Sequence, residues 1–269
     1  MDGKKIAREK FSELEEKMKE RVNPLSLAVV CVGKDPVSSV YVGKKEKELS
    51  KRGVVVSVYN YKKDIQEKRL KEEVRSLKEN GIIVQLPLPE SLQTREVLDS
   101  IKKEKDVDLL SSVSCGEFYT GTAKTTPPVV GAVSTLLEEY KVECKGKNVV
   151  LIGGGALVGK PLAIHFIKEE ATVTVVNRYT KNLKLFTREA DILVSGAGKP
   201  GLIRGDMVKE GSTVIDAGTS SSSGELKGDV DADSLKDKPS LFSPVPGGVG
   251  PLTVYHLANN LRLLENDNR

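Results

Sequence analysis

The chain has 269 residues, 42 Lys plus Arg against 38 Asp plus Glu, a formal charge of +4, and 38% hydrophobic against 30% charged residues. That length suits two domains with a real core, and the aliphatic content with nearly balanced, interleaved charge excludes a disordered chain. Aromatics at 4% with no Trp leave little on which bases could stack, which argues against nucleic-acid binding as the main activity.

Along the chain, Ala7, Phe11, Leu14 and Met18 recur at helical spacing within a charged segment and predict one amphipathic helix. Residues 25–32 (LSLAVVCV) read as a buried strand, then a turn at 33–36 and a helix over 38–51. Residues 54–59, the charged stretch 63–78 and residues 82–86 repeat strand, helix, strand, which is the pattern of βαβ units and a parallel sheet. After a break at 125–128, a helix over 133–140 leads to a strand at 148–152 (NVVLI), a helix at 161–169, and strands at 172–176, 192–194 and 213–215. This second series predicts a separate doubly wound unit. Residues 219–224 (TSSSSG) read as a flexible loop, with strand signals resuming near Asp229 and Leu241, and Val254, Leu257, Leu261 and Leu264 mark a closing helix.

Cys31, Cys115 and Cys144 are odd in number and far apart, so free thiols in a reducing cytoplasm are expected. No stretch is apolar enough for a signal peptide or a membrane span. His165 and His256 have no ligand-like neighbours, so neither a metal site nor a histidine triad is expected. Asp229, Asp231 and Asp233 imitate the start of a calcium loop, but Ser234 and Ser240 stand where its glycine and bidentate glutamate belong.

Gly153, Gly155 and Gly159 follow the NVVLI strand at once, and Pro161 opens the next helix. Glycines there let the backbone turn tightly and approach a pyrophosphate, whose charge is met by amides at the helix start. Gly154, Gly159 and Lys160 also fit a Walker A spacing, yet Pro161 replaces the hydroxyl that would hold magnesium, which removes the ATPase reading. Where an NAD-selective unit places a carboxylate after its second strand, Asn177 and Arg178 follow Val176, and a cation there suits the ribose phosphate of NADP.

More specific patterns stand at 38–47 (SSVYVGKKEK), 81–89 (GIIVQLPLP), 105–108 (KDVD), 178–183 (RYTKNL), 196–203 (GAGKPGLI) and 244–253 (PVPGGVGPLT). Together, in this order and nearly end to end, they resemble the bifunctional methylenetetrahydrofolate dehydrogenase/methenyltetrahydrofolate cyclohydrolase (FolD) family. The resemblance implies an α/β fold of two domains. One is an α/β folate-binding catalytic domain over 1–127, closed by a C-terminal helix at 251–269, and the other is a Rossmann-like doubly wound NADP-binding domain over 128–250. It implies Lys45 and Gln85 as catalytic residues, with Tyr41, Asp108 and Gly247 meeting the folate. NADP would meet Gly153, Gly154, Gly155, Arg178, Thr180 and Thr219. It further implies tetrahydrofolate derivatives as partners and a cytoplasmic homodimer.

The residue types suit that chemistry: an Asp accepts paired bonds from a pterin, and a Lys held by a Gln can manage the proton of a hydrolysis. By position alone, Lys45 reads as a solvated helix residue, Tyr41 as packing, Asp108 as a turn former and Gln85 as a backbone partner between prolines, and only the shared order of the motifs lifts the four above that. Several positions depart from the family pattern. Gly154 and Gly155 replace its usual Arg or Ala and Ser, Leu109 and Leu110 stand where Gly-Phe is usual, Ser114 replaces Asn, and Asn177 replaces His. A dehydrogenase lacking the cyclohydrolase, an NADP-dependent reductase of another substrate, and a folate- or NADP-sensing binding protein are the alternative readings.

Overall fold

The structure is a computed structural model that describes the chain apart from residues 20, 22, 34, 35, 223, 224, 237 and 267–269; the side chains of 36–41, 221, 222, 225 and 266 also lie outside the described residues. The chain divides into two compact units, one of Lys10–Pro128 with Val254–Arg269 and one of Met1–Glu9 with Val129–Thr253.

Helix α1 (Gly3–Met18) buries Ala7, Phe11 and Leu14, the stripe that its sequence spacing predicts. In the first unit follow β1 (Ser26–Val32), α2 (Pro36–Ser50), β2 (Val55–Tyr61), α3 (Glu67–Ser76), β3 (Gly81–Val84), α4 (Thr94–Leu98) and α5 (Ser112–Thr120). The sheet is parallel in the order β2-β1-β3. Its central strand β1 is apolar on both faces because both are covered. Ala28, Val30 and Val32 pack with Leu70, Val74 and Leu77, while Leu27 and Val29 pack with Phe11, Leu14, Val42 and Leu49.

The second unit holds α6 (Pro128–Glu139), β4 (Asn148–Ile152), α7 (Gly159–Lys168), β5 (Thr172–Val176), α8 (Lys184–Thr187), β6 (Ile192–Ser195), β7 (Thr213–Asp216), β8 (Ser220–Ser222), β9 (Glu225–Lys227), α9 (Ala232–Leu235) and β10 (Leu241–Ser243). Its five-stranded parallel sheet runs β10-β7-β6-β4-β5, a doubly wound order whose reversal lies between β4 and β6. Helix α10 (Val249–Asn266) ends the described chain. From Val254 onward it belongs to the three-stranded unit, where Leu257, Ala258 and Leu261 join the Phe11 cluster. There buried Asn260 donates from Nδ2 to the Val107 and Thr126 carbonyls at 2.9 and 2.8 Å.

Two expectations are corrected. The serine run is not a loop, because Ser220–Ser222 and Glu225–Lys227 pair antiparallel and Ser220 Oγ donates to the Lys227 carbonyl at 3.2 Å. Its short polar side chains imitate a turn composition, yet a Ser-Gly dipeptide is also a hairpin signal; residues 223 and 224 themselves lie outside the described residues. Near Asp229 there is only an isolated bridge from Val230 to Ile203, because the Asp229 and Val230 amides are taken by the Asp216 carboxyl.

Candidate active site

In the three-stranded unit the order reverses at β1, so the chain leaving β1 and the chain leaving β3 diverge from neighbouring strand ends, where open α/β sheets bind ligands. The first of these enters α2, which carries half-buried Lys45; the second begins with Gln85. Gln85 extends the ladder by donating its backbone N–H to the Val30 carbonyl at 2.9 Å. Its Nε2 donates to the Leu86 carbonyl at 2.9 Å, which leaves Oε1 to accept from Lys45 Nζ at 3.3 Å. Lys44 and Lys47 are exposed.

Asp108 retains some surface, but its carboxyl lies deep in the protein mass. Loss of solvation raises its pKa, the Lys45 charge opposes that rise, and Asp106 adds to it. Lys45 also stands near Cys31, whose thiol burial pushes up and whose thiolate Lys45 favours. Cys31 was not among the expected site residues; its place two residues beyond Val29, on the same face of β1, is the signal that could have found it. Tyr41 lies on α2, four residues before Lys45, and its side chain is outside the described residues.

In the five-stranded unit, Gly153 has φ of +100°, and a Cβ on Gly159 would collide with the Gly153 carbonyl, so these two glycines are demanded by the turn itself. Gly154 and Gly155 are exposed; a Cβ would meet only Val175 at 3.7 Å from Gly154 and open space at Gly155. Helix α7 begins at Gly159 with no side-chain cap. An open backbone turn before an uncapped helix start, with the Arg178 cation just after β5, fits a phosphorylated dinucleotide.

Arg178 lies with its guanidinium carbon 4.8 Å from the Tyr179 ring centre. Thr180 closes the turn by accepting from the Asn177 N–H at 3.0 Å. Thr219 is exposed beyond β7, its carbonyl beside Gly198. Gly247, at φ of +109°, falls in this unit, and its carbonyl accepts from the Lys4 N–H at 2.9 Å. Lys45, Gln85 and Asp108 therefore gather in one unit, and Gly153 to Gly155, Arg178, Thr180, Thr219 and Gly247 belong to the other. Among the described residues no group of three His, Cys, Asp or Glu side chains is arranged to hold a metal ion, and no helix is long and apolar enough to cross a membrane.

The family model for the tetrahydrofolate dehydrogenase/cyclohydrolase catalytic domain matches residues 1–108, and the model for that family's NAD(P)-binding domain matches residues 126–268. The chain belongs to this family. A bifunctional protein FolD from Hydrogenobaculum is 40% identical over 266 residues, covering 97% of this chain and 96% of its own. A FolD crystal structure from Campylobacter jejuni is 36% identical with a TM-score of 0.90, covering 99% and 98% of the two chains. The Trypanosoma brucei FolD, solved with NADP and an inhibitor, is 35% identical with a TM-score of 0.92, covering 100% and 98%. Family membership carries the two-domain α/β architecture, a catalytic domain with a Rossmann-like NAD(P)-binding one.

Proposed function

We propose that this chain oxidises 5,10-methylenetetrahydrofolate to 5,10-methenyltetrahydrofolate with NADP⁺ and hydrolyses the product to 10-formyltetrahydrofolate, a step of one-carbon metabolism. The observation that carries the reading is the contact of Lys45 with Gln85 at 3.3 Å beside Asp108, in a chain matched nearly end to end by relatives of that activity.

The three-stranded unit is the folate-binding catalytic domain. Asp108 accepts from the pterin's amino group and ring nitrogen, and Tyr41 packs on the ring. Gln85, fixed through its own amide to the Leu86 carbonyl, holds Lys45 Nζ in place. In the hydrolysis, water adds to the cationic methenyl carbon, the bond from that carbon to one ring nitrogen breaks, Lys45 carries one of the water's protons toward that nitrogen, and the other proton, with the cation's charge, is released to solvent.

The five-stranded unit is the NADP-binding domain, in which Gly153, Gly154 and Gly155 give backbone N–H groups to the phosphates. Arg178, Thr180 and Thr219 select the ribose phosphate, and the Gly247 loop contributes to folate binding. When bound, NADP⁺ supplies the hydride acceptor. A cytoplasmic homodimer completes the proposal, since β5 is an edge strand with Val175 exposed, an edge that a second copy can cover.

Initial rates of nicotinamide reduction from methylenetetrahydrofolate with NADP⁺ and NAD⁺, with methenyl absorbance followed alongside, test this. The unaltered chain reduces NADP⁺ without accumulating methenyl product. Lys45→Ala accumulates it, with hydrolysis slowed on the order of 100-fold or more. No folate-dependent reduction with either nucleotide would overturn the proposal.

A further inference from the structure

The reversal of the five-stranded sheet pairs Ile152 of β4 with Ser195 of β6, so two loops leave neighbouring strand ends, residues 153–158 and 196–199. They rest on each other. A Cβ on Gly153 would stand 2.7 Å from the Gly196 carbonyl oxygen, and one on Gly196 would run into Val158. The glycine-rich loop therefore takes its height from residues 196–199, and what fixes those residues matters.

Asp229, the first residue of the false calcium motif, fixes them. It is fully buried, and its Oδ2 accepts from Ser195 Oγ at 2.6 Å, the Ala197 N–H at 2.7 Å and the Gly198 N–H at 3.3 Å. Its Oδ1 accepts from the Lys199 N–H at 2.7 Å. Three successive backbone amides thus close around one carboxyl, as amide nests close around an anion. The Asp229 N–H in turn donates to Asp216 Oδ1 at 3.1 Å, and Asp216 takes the Val230 and Gly218 amides at 2.9 and 3.0 Å. The two carboxyls interlock with glycines: Gly218 leaves no room for a Cβ against the Asp229 carboxyl, and Gly228 none against that of Asp216. Asp231 only caps α9, accepting from the Ser234 N–H, and Asp233 lies in that helix's first turn.

We propose that Asp229 is a positioning residue for the cofactor: by gathering the amides of 197–199 it sets the loop that supports the glycine-rich turn, and so sets the affinity for NADP. This rests on the reading that the glycine-rich turn receives the cofactor. That reading fails separately, if the unaltered chain binds no NADP⁺.

Two variants perturb the contact differently. Asp229→Asn keeps the size but has one accepting oxygen, so its NH₂ faces N–H donors; Gly218→Ala keeps the carboxyl and displaces it. NADP⁺ affinity is measured by calorimetry without folate, amide exchange is read at 197–199, and cyclohydrolase activity is measured on supplied methenyltetrahydrofolate. Both variants should weaken NADP⁺ binding about tenfold or more and speed exchange at 197–199, with hydrolysis within about twofold of the unaltered chain. The proposal is overturned by NADP⁺ affinity within about twofold of the unaltered chain in a folded variant, or by hydrolysis falling in step with NADP⁺ binding. Loss of cooperative unfolding in both variants would also overturn it, by making the contact structural only.

Discussion

The two units repeat one grammar and use it oppositely. In each, the first strand lies between the second and third, as β2-β1-β3 and as β5-β4-β6, so each has a pair of chain segments diverging from neighbouring strand ends. The three-stranded unit fills those segments with side chains, Lys45 on the helix after β1 and Gln85 directly after β3. The five-stranded unit fills them with backbone, an open glycine turn after β4 and an amide-rich turn after β6 that a buried carboxyl draws inward. A proton-transferring site needs side chains that carry protons, whereas a phosphate site needs amides in a fixed array. The first kind depends on which residues are present, and the second on how closely backbones approach.

The largest expected effect comes from breaking that approach. Gly159→Ala would drive a methyl into the Gly153 carbonyl, with the Gly154 Cα only 2.9 Å away, and backbone cannot yield as a side-chain tip can. Melting should show a loss of about 1–3 kcal/mol or more, with NADP⁺ affinity falling with it. Unchanged melting and binding would mean that close backbone contact is not what shapes this turn.

Comparable in size is a pH effect from the two interlocked carboxyls of the same unit. Burial, reinforced by the neighbouring Asp229 and opposed by three backbone N–H donors, raises Asp216 from 3.8 to about 6. Between those values the folded chain keeps a proton that the unfolded chain has released. The stability linked to Asp216 is therefore complete below pH 4 and falls as pH rises through 6, by roughly 3 kcal/mol in all. Asp191 behaves oppositely: its salt bridge to Lys209 lowers its pKa, so its contribution is lost as pH falls. Denaturant unfolding from pH 4 to 7 of the unaltered chain and of Asp216→Asn isolates the contribution of this carboxyl. Their stability difference should move against the unaltered chain as pH rises, and a flat difference would refute the assignment.

The same contrast governs what the sequence made legible. Strands 148–152 and 172–176 and the buried stripe of α1 were readable because an apolar run or spacing is a local signal. Helices α4, α5, α8 and α9 were not, because at four to nine residues none supplies the turns a periodicity needs. Lys45, Gln85 and Asp108 were singled out through motif order, and only folding brings the first two within 3.3 Å across 40 residues. Asp229 was noticed only within a calcium-like pattern that was set aside, since a carboxyl that serves backbone amides has no pattern beyond its own letter.

Two smaller predictions invert the contrast at one residue each. Leu109, just after Asp108, is a buried side chain held at φ of +53°, where glycine would be free of strain. That conformation costs roughly 1–2 kcal/mol, while emptying a buried leucine site costs about 2–5 kcal/mol. Burial outweighs strain, so Leu109→Gly should destabilise by about 1–3 kcal/mol in a denaturant titration, and a stabilised variant would show the reverse balance. Gly155 is the mirror case, a glycine facing open space at a negative φ that any residue adopts. Gly155→Ser adds a Cβ that meets no atom within 4 Å and a hydroxyl at an exposed position, so stability should change by no more than about 0.5 kcal/mol. One further donor at a phosphate should tighten NADP⁺ binding about two- to tenfold by calorimetry. Weaker binding would mean that the amides already fill the phosphate's coordination and that the turn is selected for bare backbone.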